Sequence, residues 1–369
     1  MNEPKRPTIC LAMIVKDESA VIERCLSSAL PHIDSWVIVD TGSQDDTCQR
    51  IEKVLSGVPG RLEHRPFVDF GTNRTELMEL AFDQHATWLL LLDADMTIET
   101  DGDLHDLLSQ DVRNHMLLAD IVGGDMEIGG ERPFAMPYLV RGNRHWKFEG
   151  VTHEFLTSSG RPRQGRISAV RFHNFADGGS RGDKYERDRL LLEAAYQRNP
   201  DDARSLFYLA QTYRHLAQYD VALQHYTRRA ALQSGTWDEE TFFAQYQVGV
   251  LQLESNWPAA VEALLLAWSM RPTRAEPLYH LAFGWRNRQA WSAAYLFASR
   301  GIHIPVPDDI LFVETSLYRW GLRFERSVAA WYVGERGLAQ SDTEVLLADP
   351  ELPEQWRVYA ESNLRLAQG

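Results

Sequence analysis

The run Trp88-Leu89-Leu90-Leu91-Leu92-Asp93-Ala94-Asp95-Met96 decides the fold. Five consecutive apolar residues suit a strand buried on both faces, as in a parallel sheet. The run is far short of the ~20 residues that a membrane-spanning helix needs. It ends by presenting two carboxylates at the strand edge where parallel sheets bind ligands. Hard oxygen donors placed there suit a divalent cation on a diphosphate. An isolated D-x-D reads as a pair of turn-capping aspartates; its position after a buried strand favours the ligand site.

The same texture extends outward from this run. Ile9 to Val15 reads as a buried strand, Ala20 to Leu30 as a helix, Trp36 to Val39 as a strand and Asp46 to Leu55 as a helix. Leu62 to His64 makes a third strand and Asn73 to His85 a helix before the Trp88 strand. Alternating strands and helices imply a mostly parallel sheet covered on both faces. From Gly123 to Val170 the segments are shorter and richer in Gly and Pro, as extra strands and site-forming loops would be.

From Lys184 onward the chain reads as helical. Tyr208, Ala210, Tyr213, Tyr219, Ala222 and Tyr226 align with Tyr246, Val248, Leu251, Trp257, Ala260 and Leu264 at an offset of 38. Ala282, Trp285, Trp291, Ala294 and Ala298 follow at an offset of 34. Small residues beside aromatics at this period are the mark of tetratricopeptide-type helical hairpins; chance periodicity in an Ala- and Leu-rich helical chain is the alternative. The expected layout is two domains, residues 1–180 and residues 181–369, with the last helices as a polar cap.

Charge narrows the function. The chain of 369 residues carries 38 Lys and Arg against 52 Asp and Glu, a net −14. This argues against duplex nucleic acid or an acidic bilayer as partner. Residues 1–180 hold 18 basic and 28 acidic side chains, so most of the surplus lies with the D-x-D. Cys10, Cys25 and Cys48 lack metal-ligand spacing among themselves and read as reduced thiols of a cytoplasmic protein. Lys5 and Arg6 before the apolar run at Ile9 resemble a signal peptide, but Lys16, Asp17 and Glu18 follow without a small-residue cleavage site.

Individual residues then take roles. Asp40, closing the second strand, reads either as an acceptor for a nucleoside N–H or ribose hydroxyl or as a loop cap. Ser43 reads as the N-cap of the following helix in a capping box with Asp46, and Asp45 suits the helix dipole. Lys16, Asp17 and Glu18, ending the first strand, read as lining a ligand pocket, with a solvated turn the alternative for Lys16 and Glu18.

Together, LAMIVKDE (Leu11 to Glu18), VIVDTGSQDDT (Val37 to Thr47), DFGTNRTELM (Asp69 to Met78) and LLLLDADM (Leu89 to Met96) resemble the glycosyltransferase family 2 type, with its GT-A nucleotide-diphospho-sugar-binding fold. WKFEGVTHE (Trp146 to Glu154), GGSRGDKYERD (Gly178 to Asp188) and GTWDEE (Gly235 to Glu240) resemble a subgroup with C-terminal tetratricopeptide-like repeats. The peptide S-glycosyltransferases of the sublancin type are distantly similar.

The resemblance implies a metal-dependent, inverting transfer of sugar from a nucleoside-diphospho-sugar, with a UDP-sugar favoured. Mn²⁺ or Mg²⁺ is expected on Asp95, with Asp93 on the ribose or on the metal through water, Ala94 beside the donor and His173 as a further metal ligand. Glu154 is the expected base and Trp146 a packing anchor or sugar platform. Arg181 and Lys184 are expected to close over the diphosphate, and Arg74 to reach the donor or brace its loop. Many relatives carry Asn where Thr75 stands. A peptide or protein acceptor docked by the repeats fits an extended concave surface. A homodimer through the helical domain is a further expected partner. The alternatives are a glycan or modified-base acceptor, and a non-catalytic repeat scaffold with a sugar-nucleotide-sensing domain.

Overall fold

The computed structural model describes residues 6–123, 135–179, 184–232 and 237–368. Two compact units divide between Thr212 and Tyr213.

The first unit opens with β1 (Ile9–Val15), α1 (Ile22–Ala29), β2 (Ser35–Asp40), α2 (Thr47–Val54), β3 (Gly60–His64), α3 (Phe70–Phe82) and β4 (Trp88–Leu91). It continues with β5 (Met96–Thr100), α4 (Leu104–Ser109), β6 (Met116–Gly123), β7 (Ala135–Arg141), β8 (Trp146–Glu149), β9 (Phe155–Ser158) and β10 (Gln164–Asn174). Among the described residues the strands form a sheet of order β3-β2-β1-β4-β7-β6-β10-β5 and a separate β8–β9 hairpin. β1 pairs in parallel with β2 and β4, and β2 with β3. β7 runs antiparallel between β4 and β6, and β5 antiparallel to β10. This is the mostly parallel, GT-A-like sheet expected, followed by helical repeats.

Side chains alternate across a strand, so each run feeds two cores. Ile9, Leu11, Met13 and Val15 of β1 pack with Ile22, Cys25 and Leu26 of α1 on one face. Cys10 and Ala12 pack with Leu77, Met78 and Ala81 of α3 on the other. Each fully buried Leu or Ile contributes about 1.5–3 kcal/mol. Parallel pairing carries the carboxyl ends of β1, β2 and β4 to one edge, at Val15, Asp40 and Leu91.

α5 (Lys184–Arg198) and α6 (Ala203–His215) start the helical stretch, and α5 together with α6 as far as Thr212 belongs to the first unit. Arg187 lies over the Phe70 ring, and Arg204 donates to the His153 carbonyl. The helical reading is sound from Lys184 onward, but this first helical stretch packs with the sheet.

The second unit holds α7 (Tyr219–Ala231), α8 (Asp238–Leu251), α9 (Trp257–Met270), α10 (Glu276–Asn287) and α11 (Trp291–Gly301). α12 (Leu322–Tyr332), α13 (Arg336–Ala348) and α14 (Glu354–Gln368) follow. Successive helices pack as hairpins, α8 on α9, α10 on α11 and α12 on α13. Repeat positions Ala222, Ala260, Ala282, Ala294 and Ala298 are fully buried. At Gly284 an added Cβ would lie 2.3 Å from the Trp257 ring, so the α10 backbone approaches as only glycine permits.

An ionic cluster ties the start of α10 to the segment that follows α11. Arg274, fully buried, contacts Glu276 at 2.8 Å and Asp309 at 3.2 Å and donates to the Leu311 and Phe312 carbonyls. Removing one partner of such a pair leaves a buried charge behind. Arg274→Met is expected to destabilise the protein by about 3–5 kcal/mol, read as a lowered denaturation midpoint.

Candidate active site

β4 ends at Leu91, and Asp93 to Met96 forms a tight turn in which the Met96 N–H donates to the Asp93 carbonyl at 3.1 Å. The turn leaves the Asp93 side chain 40% exposed at the carboxyl edge and Asp95 buried. Three loops converge on it.

The first follows β1. Asp17 adopts φ +54, and its N–H donates to Ser43 Oγ at 2.9 Å while its Oδ1 accepts the Gln44 N–H at 2.6 Å. Lys16 is exposed, whereas Glu18 is buried. The Glu18 N–H donates to Thr47 Oγ1 at 2.8 Å.

The second follows β2. The Asp40 carboxylate accepts the N–H groups of Gly42 (3.2 Å) and Ser43 (3.1 Å) and contacts His64 Nδ1 at 3.2 Å. Burial opposes its charge, but bonds from Ser43, His64 and Gly42 outweigh it and hold the carboxyl below its ordinary value. The capping box expected from Ser43 and Asp46 is not formed. α2 begins at Thr47, and Asp46 at its N-cap makes no side-chain capping bond. Asp40 already turns the loop, Asp45 accepts the Thr47 N–H at 3.0 Å, and Ser43 is left to hold Asp17.

The third follows β10. The Phe175 N–H donates to the Asp95 carbonyl at 3.1 Å, Arg24 grips Asp177 through two bonds, and the Gly179 N–H donates to Glu18 Oε2 at 2.9 Å. A Cβ on Gly178 would lie 3.2 Å from Glu18 Oε2 and 3.4 Å from Asp95 Oδ2, and one on Gly179 would lie 1.9 Å from the Asp17 carbonyl oxygen. Glycine lets the backbone close against the two carboxylates. Burial, and then the charges of Asp95, Asp93 and Asp45, push the Glu18 carboxyl up to about 7, while the Gly179 bond works the other way.

α3 brings the remaining pieces. Asp69 caps its N-terminus by accepting the Thr72 N–H at 2.7 Å. Thr75 Oγ1 accepts the Phe148 N–H at 2.9 Å and donates to the Phe148 carbonyl at 3.3 Å, fastening α3 to β8. Thr75 therefore serves the helix–hairpin junction. Trp146 of β8 is buried, with its indole N–H on the Arg141 carbonyl at 2.8 Å, the packing-anchor reading. Docked in this way, α3 places Arg74 between Asp93 Oδ1 (2.6 Å from Nη2) and Glu154 Oε1 (2.7 Å from Nε). The second contact is an ion pair and not an aligned hydrogen bond. Burial opposes the guanidinium charge, yet Asp93 and Glu154 raise its pKa above the ordinary arginine value.

Glu154 follows a strained corner. Gly150 has φ +111 and His153 φ +49. The His153 ring stacks on Tyr208 at 4.1 Å, and Arg204 Nη2 donates to the His153 carbonyl at 2.7 Å. An open groove of about 630 Å³ borders this corner at Gly150 and Val151 and is lined by Glu76, Lys147, Arg198 and Asp202.

The other expected residues lie as follows. His173 Nε2 is 2.6 Å from Glu99 Oε2 across the β10–β5 pair. Lys184 opens α5 with its ammonium 5.3 Å from the Tyr185 ring. Arg181 lies outside the described residues. Ala94 is buried at the turn between the two aspartates. The sequence reading missed the bracing roles of Asp17 and Thr47, and passed over Cys48 and His64. Among the described residues, Asp40, Cys48 and His64 alone form a group of three His, Cys, Asp or Glu side chains close enough to share an ion. The signal for His64 was its place directly opposite Asp40 in the β2–β3 register.

Residues 10–164 match the family model of glycosyl transferase family 2. Over this segment the chain is similar to glycosyl transferase family 2. A TPR repeat-containing protein of Synechococcus elongatus is 28% identical over 155 residues, which are 41% of this chain and 36% of that protein. The matched segment thus spans about a third of that relative's length. Among solved structures, MamA aligns with 50% of this chain and 92% of its own at 14% identity and a TM-score of 0.35. A thermophilic TPR protein of Thermus thermophilus aligns with 49% of this chain and 91% of its own at 16% identity and a TM-score of 0.35. No helix among the described residues is long and apolar enough to cross a membrane.

Proposed function

We propose that the family 2-like domain transfers a sugar from a nucleoside-diphospho-sugar, a UDP-sugar by preference, to a peptide or protein side chain by inverting displacement. The observation that carries this reading is the Asp93–Arg74–Glu154 arrangement at the carboxyl edge of β4. It supports the reading because the Glu154 carboxylate lies on the same arginine as Asp93, beside the turn that would hold the donor.

Asp40 meets the nucleoside at the end of β2, and Lys16 and Glu18 line the pocket at the end of β1. Asp95 and Glu18 offer hard oxygen donors, and Gly178 leaves the space against these two carboxylates that a side chain would fill. A Mg²⁺ or Mn²⁺ ion bound by Asp95 would supply Lewis-acid stabilisation of the negative charge on the departing diphosphate. Glu154 takes the proton from the acceptor nucleophile, whose electron pair forms the new bond to the anomeric carbon. The bond from that carbon to the diphosphate oxygen breaks with its electrons on oxygen. Arg74 orients Glu154 and Asp93 toward each other, and Arg181 and Lys184 steady the phosphates. The groove bordering Gly150 and Val151 gives an acceptor segment a path toward Glu154, and the helical hairpins dock the rest of it.

A thermal-shift screen of nucleotide sugars with and without Mn²⁺ tests class, donor and metal together. At a hundredfold excess over Kd the preferred donor with Mn²⁺ is expected to raise Tm by about 5–10 °C. A flat response to every nucleotide sugar in both conditions would sink the reading.

A further inference from the structure

The carboxyl ends of β2 and β3 carry a second donor cluster, of different chemistry from the D-x-D. Asp40 and His64 are register partners in the parallel pair, with carboxylate and Nδ1 3.2 Å apart. Cys48, in the first turn of α2, reaches the same carboxylate with its thiol. One oxygen, one sulfur and one imidazole nitrogen from these residues lie within 4.8 Å of one another. Three separate elements thus deliver three different ligand atoms to one point.

The mixture selects the ion. Mg²⁺ and Ca²⁺ take oxygen ligands, whereas thiolate with imidazole and carboxylate suits Zn²⁺ and metals of similar softness. The site is also braced on one side and open on the other. Gly42 and Ser43 N–H groups hold the Asp40 carboxylate, and bonds of this kind orient metal ligands. The His64 side chain is 68% exposed, so it can swing the short distance to a common ion and leave a coordination position to water.

We propose that Asp40, Cys48 and His64 form a three-ligand zinc site. Cys48 binds through sulfur after releasing its thiol proton to solvent, His64 through Nδ1 as the neutral ring, Asp40 through one carboxylate oxygen, and water completes the tetrahedron. Because Asp40 also serves the nucleoside in the function proposed above, zinc and donor compete for it; this second part rests on that reading.

Co²⁺ is the probe, because thiolate ligation gives it a near-ultraviolet charge-transfer band that oxygen ligands do not. Titrating the full chain is expected to develop the band to one equivalent, and Zn²⁺ to bleach it. Cys48→Ser abolishes the band, while Asp95→Ala leaves it unchanged. His64→Ala weakens Co²⁺ binding by at least the about 10–100-fold that loss of a mere supporting group costs. Circular dichroism and Tm confirm that both rim variants fold. No band in the wild type, a band that survives Cys48→Ser, or unchanged affinity in His64→Ala overturns the site. In the competition arm, one equivalent of Zn²⁺ raises the donor Kd at least about tenfold in the wild type and not in Cys48→Ser. A donor Kd indifferent to zinc overturns the sharing of Asp40, while the cobalt band alone decides whether the metal site exists.

Discussion

Asp95→Ala is expected to lower donor turnover by about 10²–10³-fold, the scale of losing one group that stabilises charge in the transition state. Asp95 is buried at the turn, and its carboxylate lies against the same Gly178 backbone as Glu18. Its removal deletes the proposed metal ligand while leaving Asp93 on Arg74. Glu18 should then be relieved of one of the charges that push it up. Steady-state release of nucleoside diphosphate, measured across a Mn²⁺ titration, separates the effects. A lost rate that high Mn²⁺ does not restore fits the assignment. Full activity, or activity equal with and without metal in the parent, would remove Asp95 from the role.

The second large effect belongs to Glu154→Gln. The amide keeps the shape of the side chain and can keep its oxygen facing Arg74, but it cannot take a proton at neutral pH. Sugar transfer is expected to fall by about 10²–10⁴-fold, the usual worth of general-base catalysis. Donor affinity should change little, since Glu154 is placed on the acceptor side. Isothermal titration with donor and a coupled transfer assay read the two quantities separately. Transfer at the parental rate would reassign the base, and a lost donor affinity would place Glu154 in the donor pocket instead.

The parts of the fold that were legible in advance share a physical reason. β1, β2 and β4 are unbroken apolar runs because both faces of a central parallel strand are covered, and the structure begins each within a residue of its expected start. The start of α2 was not legible, because Ser43, Asp45 and Asp46 can each cap a helix, and which one does so depends on the Asp40 carboxylate across the loop. The helical repeats were legible from buried alanines at a fixed period. That α5 and most of α6 pack with the first unit was not, since a helix's periodicity says which face is apolar and not what it meets.

At the site, the D-x-D stood out because its strand did. The Arg74 link from Asp93 to Glu154 was beyond any spacing argument, since it depends on α3 docking against β8 through Thr75. Resemblance named both residues but not their pairing. Cys48 and His64 were not legible for a related reason: spacing among the cysteines carries no metal signal, while the cluster draws its three ligands from two strands and a helix.

The corner that carries Glu154 bears on where this protein can be cut. His153 sits in a backbone conformation costly for any residue but glycine, and what holds it comes from α6, through the Tyr208 ring and the Arg204 guanidinium. A fragment ending after the last strand would keep every strand of the sheet and still lose the clamp on its proposed base. The smallest autonomous module with the proposed activity is therefore expected to run through Thr212, and so to include the first helices of the stretch that reads as helical repeats. Exchanging repeat arrays between relatives should succeed only when the joint is made beyond that point.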